Sequence, residues 1–277
     1  MRNPSKDGRN CPVCGGREFR RLHMWQADHP RNSATIDLAF WQCSCSLAFL
    51  HPLPTKHQMP SVQTLNQPYQ SNHRRPQWRK VRAGVQNWVF GSPRRRIVRQ
   101  TAKIQPHGRL VDVGAGTGEL LAEAARIYEE CVGIEPNPAA AVVAQRRGYE
   151  VVQRSLQTAA GELSSFEVAT MDAVLEHLGD PIEAMTHVNQ LLKVGGVVVV
   201  KVPKLFGPSH RHHGREWNGF RVGFHNYMFD GQVLASVLEH CGFQVLQSPK
   251  RDRLLDDILI LWGRKTHDLE QPQLAAA

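Results

Sequence analysis

Acid is missing from a long stretch of this 277-residue chain. Between Asp37 and Asp112 there is no Asp or Glu, while the same stretch carries Lys56, Arg74, Arg75, Arg79, Lys80, Arg82, Arg94, Arg95, Arg96, Arg99, Lys103 and Arg109. The net charge of +9 is therefore local, and a local basic surface bears on partners rather than on fold. Long apolar runs are missing too. The longest, around 195–200, has the length of a strand and falls far short of a membrane span, so no membrane partner is expected. The opening Met1-Arg2-Asn3-Pro4-Ser5 has no apolar segment of the secretory kind. A cytoplasmic setting with reduced thiols is the expectation. Internal repeats and low-complexity tracts are absent. At 41% hydrophobic and 21% charged, the composition is that of an ordinary globular chain with a real core.

Cysteine is scarce, but its six copies are unevenly placed. Cys131 opens an apolar strand and Cys241 precedes a glycine at a helix end, as structural cysteines do. Cys11, Cys14, Cys43 and Cys45 cluster near the start. Cys11-Pro12-Val13-Cys14-Gly15-Gly16 has the form of a metal knuckle, with two thiolates and a glycine for the turn. The second pair, Cys43-Ser44-Cys45-Ser46, is tighter and has Ser46 where a ribbon usually has glycine. Four thiolates suit tetrahedral Zn²⁺ in a structural role, because they leave no open coordination position. A ribbon that folds without metal, or reactive thiols, remains the alternative.

Three regions follow from these patterns. Residues 1–53 form a zinc-ribbon-like module. Residues 54–108 form a basic linker and helical cap, with a Trp-bearing helix starting at Pro76 and a second basic helix over 93–104. Residues 109–277 alternate strand and helix signals. Strands are predicted at 109–113, 131–135, 150–153, 166–171, 196–202, 243–248 and 256–264, and helices at 118–128, 137–147, 180–193 and 230–241. This is a doubly wound α/β sheet of seven strands. The connection near 249–255 is too short for a crossover, so the last strand should run antiparallel. The tail from Gln271 is expected to be disordered.

The chain is organised around Leu110-Val111-Asp112-Val113-Gly114-Ala115-Gly116-Thr117-Gly118. A strand enters a turn with glycine at alternate positions, and the turn delivers a helix N-terminus. The third glycine of the dinucleotide pattern is missing, since Glu119 stands there. No Gly-Lys-Ser/Thr is present for a Walker site. The second strand ends in Glu135, where a carboxylate can accept from both ribose hydroxyls of a nucleoside.

With these residues the chain resembles class I S-adenosylmethionine-dependent methyltransferases. The resemblance rests on residues 111–118, on Glu135, on Leu175-Glu176-His177-Leu178-Gly179-Asp180-Pro181, on Leu191-Leu192-Lys193-Val194-Gly195-Gly196 and on Gly242-Phe243. It implies a Rossmann-like sheet with strand order 3-2-1-4-5-7-6. It implies S-adenosyl-L-methionine as cofactor, held by Asp112, Gly114, Ala115, Gly116 and Gly118 at the methionine portion and by Glu135 at the ribose. The adenine-contacting position falls near Ser155. The cysteine leader is similar to that of bacterial small-molecule methyltransferases, including sugar C-methyltransferases.

The reacting end should lie in the loop after the fifth strand, which contains Trp217 to Phe229. His225 matches the histidine that the resembling group carries before the next helix, with Tyr227 close by, and His177 follows the fourth strand. These three are the candidate catalytic residues, His225 as base or acceptor-orienting group. A loop histidine that merely fixes a lid is the plainer alternative. His210-Arg211-His212-His213 reads as a mobile polar loop rather than a metal site. The leading function is methyl transfer to a small-molecule acceptor, a sugar or other biosynthetic intermediate, with the arginines serving an acidic or carrier-bound moiety. The alternatives are an RNA methyltransferase using the basic segment 74–103, and a non-catalytic SAM-binding regulator. The Asn/Asp-Pro-Pro-Tyr/Phe motif of amino-directed nucleic-acid enzymes is absent.

Overall fold

The structure, a computed structural model, describes residues 3–28, 35–52, 92–222, 224–246 and 257–269. The Trp-bearing helix from Pro76, the arginines of 74–82, the connection at 249–255 and the tail from Gln271 lie outside the described residues.

Alternation of strand and helix from 109 onward gives one seven-stranded sheet. Its elements are β4 (Arg109–Val113), β5 (Glu130–Ile134), β6 (Glu150–Val152), β7 (Phe166–Asp172), β8 (Leu192–Pro203), β10 (Phe243–Leu246) and β11 (Ile258–Lys265), in the spatial order β10-β11-β8-β7-β4-β5-β6. β11 is antiparallel to both β8 and β10, and the remaining pairs are parallel. Numbered within the sheet, this is 3-2-1-4-5-7-6, with the seventh strand reversed as expected.

The strands read as near-continuous apolar runs because helices cover both faces. Along β4, Leu110 joins one buried cluster, with Val98, Leu121 and Val168, while Val111 and Val113 join another with Ala169, Met171, Val198 and Val200. The covering helices are α1 (Pro93–Ile104), α2 (Glu119–Ala124), α3 (Pro138–Arg146), α4 (Leu156–Glu162), α5 (Pro181–Leu191) and α7 (Gly231–His240). α1 coincides with the expected second basic helix. It buries Ile97, Val98 and Thr101, and Thr101 accepts the indole N–H of Trp262 at 2.9 Å. Polar side chains set the starts: Asn137, Asp180 and Asp230 accept the first free N–H groups of α3, α5 and α7.

Four further strands form a second, antiparallel sheet. β1 (Phe19–Asp28), β2 (Thr35–Cys43) and β3 (Ala48–His51) come from the leader, and β9 (Tyr227–Met228) comes from the loop after β8. β3 and β9 pair as Ala48↔Met228 and Phe49↔Tyr227, and the Leu50 amide donates to the Asn226 carbonyl at 2.8 Å. The leader is thus stitched by backbone hydrogen bonds to the expected acceptor loop. One expectation is corrected here. Residues 210–213 belong to a short helix, α6 (Pro208–His213), in which His210 is buried and its Nδ1 accepts the Phe206 amide at 3.0 Å. A proline at the first turn and this internal bond order the segment that polarity alone suggested was loose. Among the described residues no helix is long and apolar enough to cross a membrane.

Candidate functional site

The glycine turn leaves β4 at the carboxyl edge of the sheet, and its three glycines do different jobs. All have positive φ: 71° at Gly114, 56° at Gly116 and 87° at Gly118. A Cβ on Gly114 would stand 2.4 Å from Val174 Cγ2, and one on Gly118 would stand 2.7 Å from the Tyr149 ring. Those two glycines serve packing. A Cβ on Gly116 would meet nothing within 4 Å, so that backbone faces open space, where a ligand can approach it closely.

Glu135 follows β5 beside this opening. One carboxylate oxygen accepts the Gly116 amide and the other the Asn137 amide, each at 2.8 Å. The carboxylate is fixed in place with lone pairs to spare, which fits a pair of ribose hydroxyls. Asp112 sits opposite Thr170 in the β4–β7 register and accepts that hydroxyl. Burial pushes its carboxyl up to about 7. It therefore braces the turn from below. Ser155 caps α4, accepting the Thr158 amide at 3.2 Å, just past the end of β6. Open space at Gly116, a carboxylate fixed at the end of β5 and a helix N-terminus together fit S-adenosylmethionine.

The second half of the site comes from the segment after β7 and the loop before β9. His177 and His225 lie edge to face, with ring centroids 4.6 Å apart. The Nδ1–H of His177 donates to the Phe224 carbonyl at 2.8 Å, and that of His225 donates to the Gly219 carbonyl at 2.6 Å. A carbonyl can only accept, so both rings carry their proton on Nδ1 when neutral. Burial, reinforced by the neighbouring imidazole of His177, pushes His225 down to about 3, and burial lowers His177 as well. Both rings are neutral at ordinary pH, each with a lone pair on Nε2. Asn226 ties the two segments together: its amide donates to the Glu176 carbonyl at 2.7 Å and its Nδ2 to the His177 carbonyl at 2.8 Å. Tyr227 is buried, and its hydroxyl donates to the Gly179 carbonyl at 2.7 Å.

The sequence reading passed over Glu176, although it stands in the quoted Leu175-Glu176-His177 motif. It is fully buried, neither carboxylate oxygen has a hydrogen-bond partner among the described residues, and burial pushes it up to about 8. Asp172 was missed as well. It ends β7 and pairs with Lys201 and, at 3.2 Å, with Arg94. Arg94 is one of the basic residues assigned to an acidic moiety, and in the fold it is answered by this chain's own acid.

A cavity of about 560 Å³ opens between β1 and the same loop, lined by Trp25, Trp217, Phe220, Arg215 and Arg221 among others. The four cysteines also converge. Cys11 and Cys45 sulfurs are 3.6 Å apart, Cys14 and Cys43 sulfurs 3.4 Å, and all four lie within 4.8 Å of one another. Sulfurs around one Zn²⁺ at ~2.3 Å stand about 3.8 Å apart, so the donor set fits a tetrahedral ion. Ser46 takes φ 78°, the left-handed turn for which glycine is the usual choice.

Comparison with known proteins agrees with this geometry. A family model described as a methyltransferase domain matches residues 85–248, more than half of the chain. The ubiquinone biosynthesis O-methyltransferase of Cereibacter sphaeroides is 32% identical over 185 residues, covering 61% of this chain and 72% of that protein. Its counterpart in Ruegeria sp. is 34% identical over 99 residues, covering 33% of this chain but only 39% of its own length. Among solved structures, a candidate methyltransferase from Bacillus halodurans superposes with a TM-score of 0.52 at 14% identity, over 62% of this chain and 99% of that one. The YcgJ protein from Bacillus subtilis gives 0.51 at 15%, over 63% and 98%. These two show the likeness of fold.

Proposed function

The chain belongs to the methyltransferase-domain family, as a class I S-adenosylmethionine-dependent enzyme, and from that premise we propose that it methylates a hydroxyl of a small-molecule acceptor. The observation that carries the reading is the pair of neutral imidazoles, His177 and His225, held at the same sheet edge as the open Gly116 turn and the fixed Glu135. S-Adenosylmethionine supplies an electrophilic methyl on a sulfonium. The residues of this chain then have to bring an oxygen to it in line. The Nε2 of His225 accepts the acceptor's hydroxyl hydrogen bond and orients the oxygen, whose proton passes to solvent as it attacks. A ring this reluctant to be charged is never lost to protonation, so its main contribution is orientation. Tyr227 and Asn226 position the loop from behind. The curated relatives act in ubiquinone biosynthesis by O-methylation, which supports oxygen as the accepting atom.

The aromatic and arginine-lined cavity supports an acceptor with a flat or apolar body and an acidic group. Zn²⁺ in the four-cysteine site is structural in this reading, and the reduced thiols it requires fit a cytoplasmic setting. The test is calorimetric titration with S-adenosylmethionine. Saturable binding should weaken by roughly 10–100-fold in Glu135→Ala, the loss of about two hydroxyl contacts. Undiminished affinity in that variant would overturn the cofactor assignment.

A further inference from the structure

We infer that His23 and His210 are positioning residues for the acceptor: the hydrogen bond between their Nε2 atoms ties β1 of the leader to α6, holds the two walls of the aromatic cavity together, and is released by acid. The inference rests on the proposed reading of that cavity as the acceptor's. The two Nε2 atoms are 3.3 Å apart although 187 positions separate the residues in the chain. One wall of the cavity is Met24 and Trp25 of β1, directly after His23. The other comes from the segment between Arg215 and Val222, directly after α6. The His23 ring lies edge to face against Trp25 and Phe220, with centroids 5.8 and 5.1 Å away. His210 packs on Trp217 and Phe220 at 5.2 and 5.1 Å. Trp25, Trp217 and Phe220 therefore all rest on this pair.

The direction of the bond follows from the backbone. Nδ1 of His210 accepts the Phe206 amide at 3.0 Å, and an amide N–H can only donate, so the neutral His210 ring carries its proton on Nε2. That Nε2–H donates to Nε2 of His23, which is unprotonated there and holds its own proton on Nδ1. A second proton on His23 would set N–H against N–H. A second proton on His210 would set one against the Phe206 amide. The bond therefore exists only between two uncharged rings. His210 is buried, and a buried donor that loses its acceptor is costly.

The surroundings keep both rings uncharged at neutral pH. Burial lowers His23 and His210 from the ordinary histidine range, Arg215 lowers His23 further, and His23 adds to the lowering of His210. The charged and titratable side chains on the elements packed here are Arg21 on β1, Asp37 on β2, Arg211, His212 and His213 on α6, and Arg215, Glu216 and Arg221 at the cavity. Two nearby acids are already engaged, Glu216 with Arg215 and Asp257 with the Ser209 amide and hydroxyl at the start of α6. Among the described residues the histidines that meet a carboxylate at ion-pair distance are His51 and His187, so no acid holds a proton on this pair. Because both rings titrate below the ordinary value of about 6.5, the contact is fully formed above that pH and is lost as acid takes the pH down through the folded values.

The test uses the full chain. Nitrogen NMR of the imidazoles at neutral pH should show the proton on Nε2 of His210 and on Nδ1 of His23. Taking the pH from about 7.5 to about 5 should cut amide-exchange protection in β1 and α6 by roughly 10-fold, while β8 keeps its protection. The cavity probe is a fluorescent hydroxynaphthoate, which has a flat body, a hydroxyl and a carboxylate that stays ionised across this range. Its binding should weaken by roughly the same 10-fold over the same step. His23→Gln offers an amide oxygen that accepts from His210 and takes no proton, so it should hold the probe equally at both pH values. His23→Leu leaves the His210 N–H without an acceptor and should bind the probe weakly at both, with S-adenosylmethionine affinity within about 2-fold of wild type. A proton on Nδ1 of His210, or the same pH response in wild type and His23→Gln, overturns the inference. Where His23→Leu fails to fold, the wild-type profile and the His23→Gln rescue decide it. Wild-type protein that shows the exchange pattern but takes up no hydroxynaphthoate upholds the tie between β1 and α6 and rejects the acceptor reading of the cavity.

Discussion

The imidazoles of His177 and His225 meet edge to face at 4.6 Å although they are far apart in the chain, and each is held by a carbonyl of the loop between Gly219 and Phe224. One loop therefore sets the tautomer of both rings. The pairing of β9 with β3 in turn anchors that loop to the leader. The proposed reacting end thus lies where the leader and the sheet edge meet around the two imidazoles.

For His225 the expected result is a split between binding and turnover. His225→Ala should lower methyl transfer to a hydroxylated acceptor by roughly 10²–10⁴-fold, while S-adenosylmethionine affinity stays within about 2-fold. Full turnover in the variant would remove His225 from the chemistry.

Gly114 and Gly116 should separate stability from cofactor binding. Gly114→Ala drives a methyl into Val174 and should cost roughly 2–3 kcal/mol of stability in denaturant unfolding. Gly116→Ala meets no atom and should cost about 1 kcal/mol from its positive φ, yet weaken S-adenosylmethionine by at least ~10-fold. Equal effects on stability and cofactor binding in the two variants would contradict the division of labour.

The cysteine cluster should be felt at β9. Chelation, or Cys43→Ser, should speed amide hydrogen exchange in β2, β3 and at Tyr227 and Met228, because among the described residues β9's only neighbour in its sheet is β3. Exchange in β4, β7 and β8 should stay slow. If the core strands open as readily as β9, the proposed metal stabilises the whole chain and not the leader.

Asp112 gives a pH dependence with a definite sign. Its folded pKa is about 7, whereas an unfolded aspartate titrates near ~4, so the folded state holds an extra proton between those values. Stability from this group is fully present below pH ~4 and is lost as pH rises through about 7, an effect on the order of a few kcal/mol. Asp112→Asn, which can still accept from Thr170, should lack that decline. Thermal midpoints across this range provide the measurement, and a constant wild-type-to-variant difference from pH 4 to 8 would disprove the assignment.

The sequence by itself determined the α/β sheet. Strands such as β4 and β8 are apolar on both faces, their glycines fall at turns, and the final connection is short, so local pattern and topology agree. The proposed cofactor end was legible too, because Asp112, Gly114, Gly116, Gly118 and Glu135 lie within one strand–turn–helix–strand unit whose spacing is local. The sequence marked Cys11, Cys14, Cys43 and Cys45 as a cluster through their spacing alone. The leader's strands were not legible, since Phe19–Asp28 mixes arginine, histidine and aromatics without a clean two-residue period, and its pairing partner β9 lies far along the chain. The reacting end was legible only in part. His177 and His225 could be named, but their common tautomer and contact depend on two backbone carbonyls, and no side-chain pattern records a carbonyl. Glu176 looked like one acid in a polar turn. Only the tertiary structure shows that packing removes it from water, leaves it no hydrogen-bond partner among the described residues and sets it beside two neutral imidazoles, because burial is a property of what the rest of the chain folds around it.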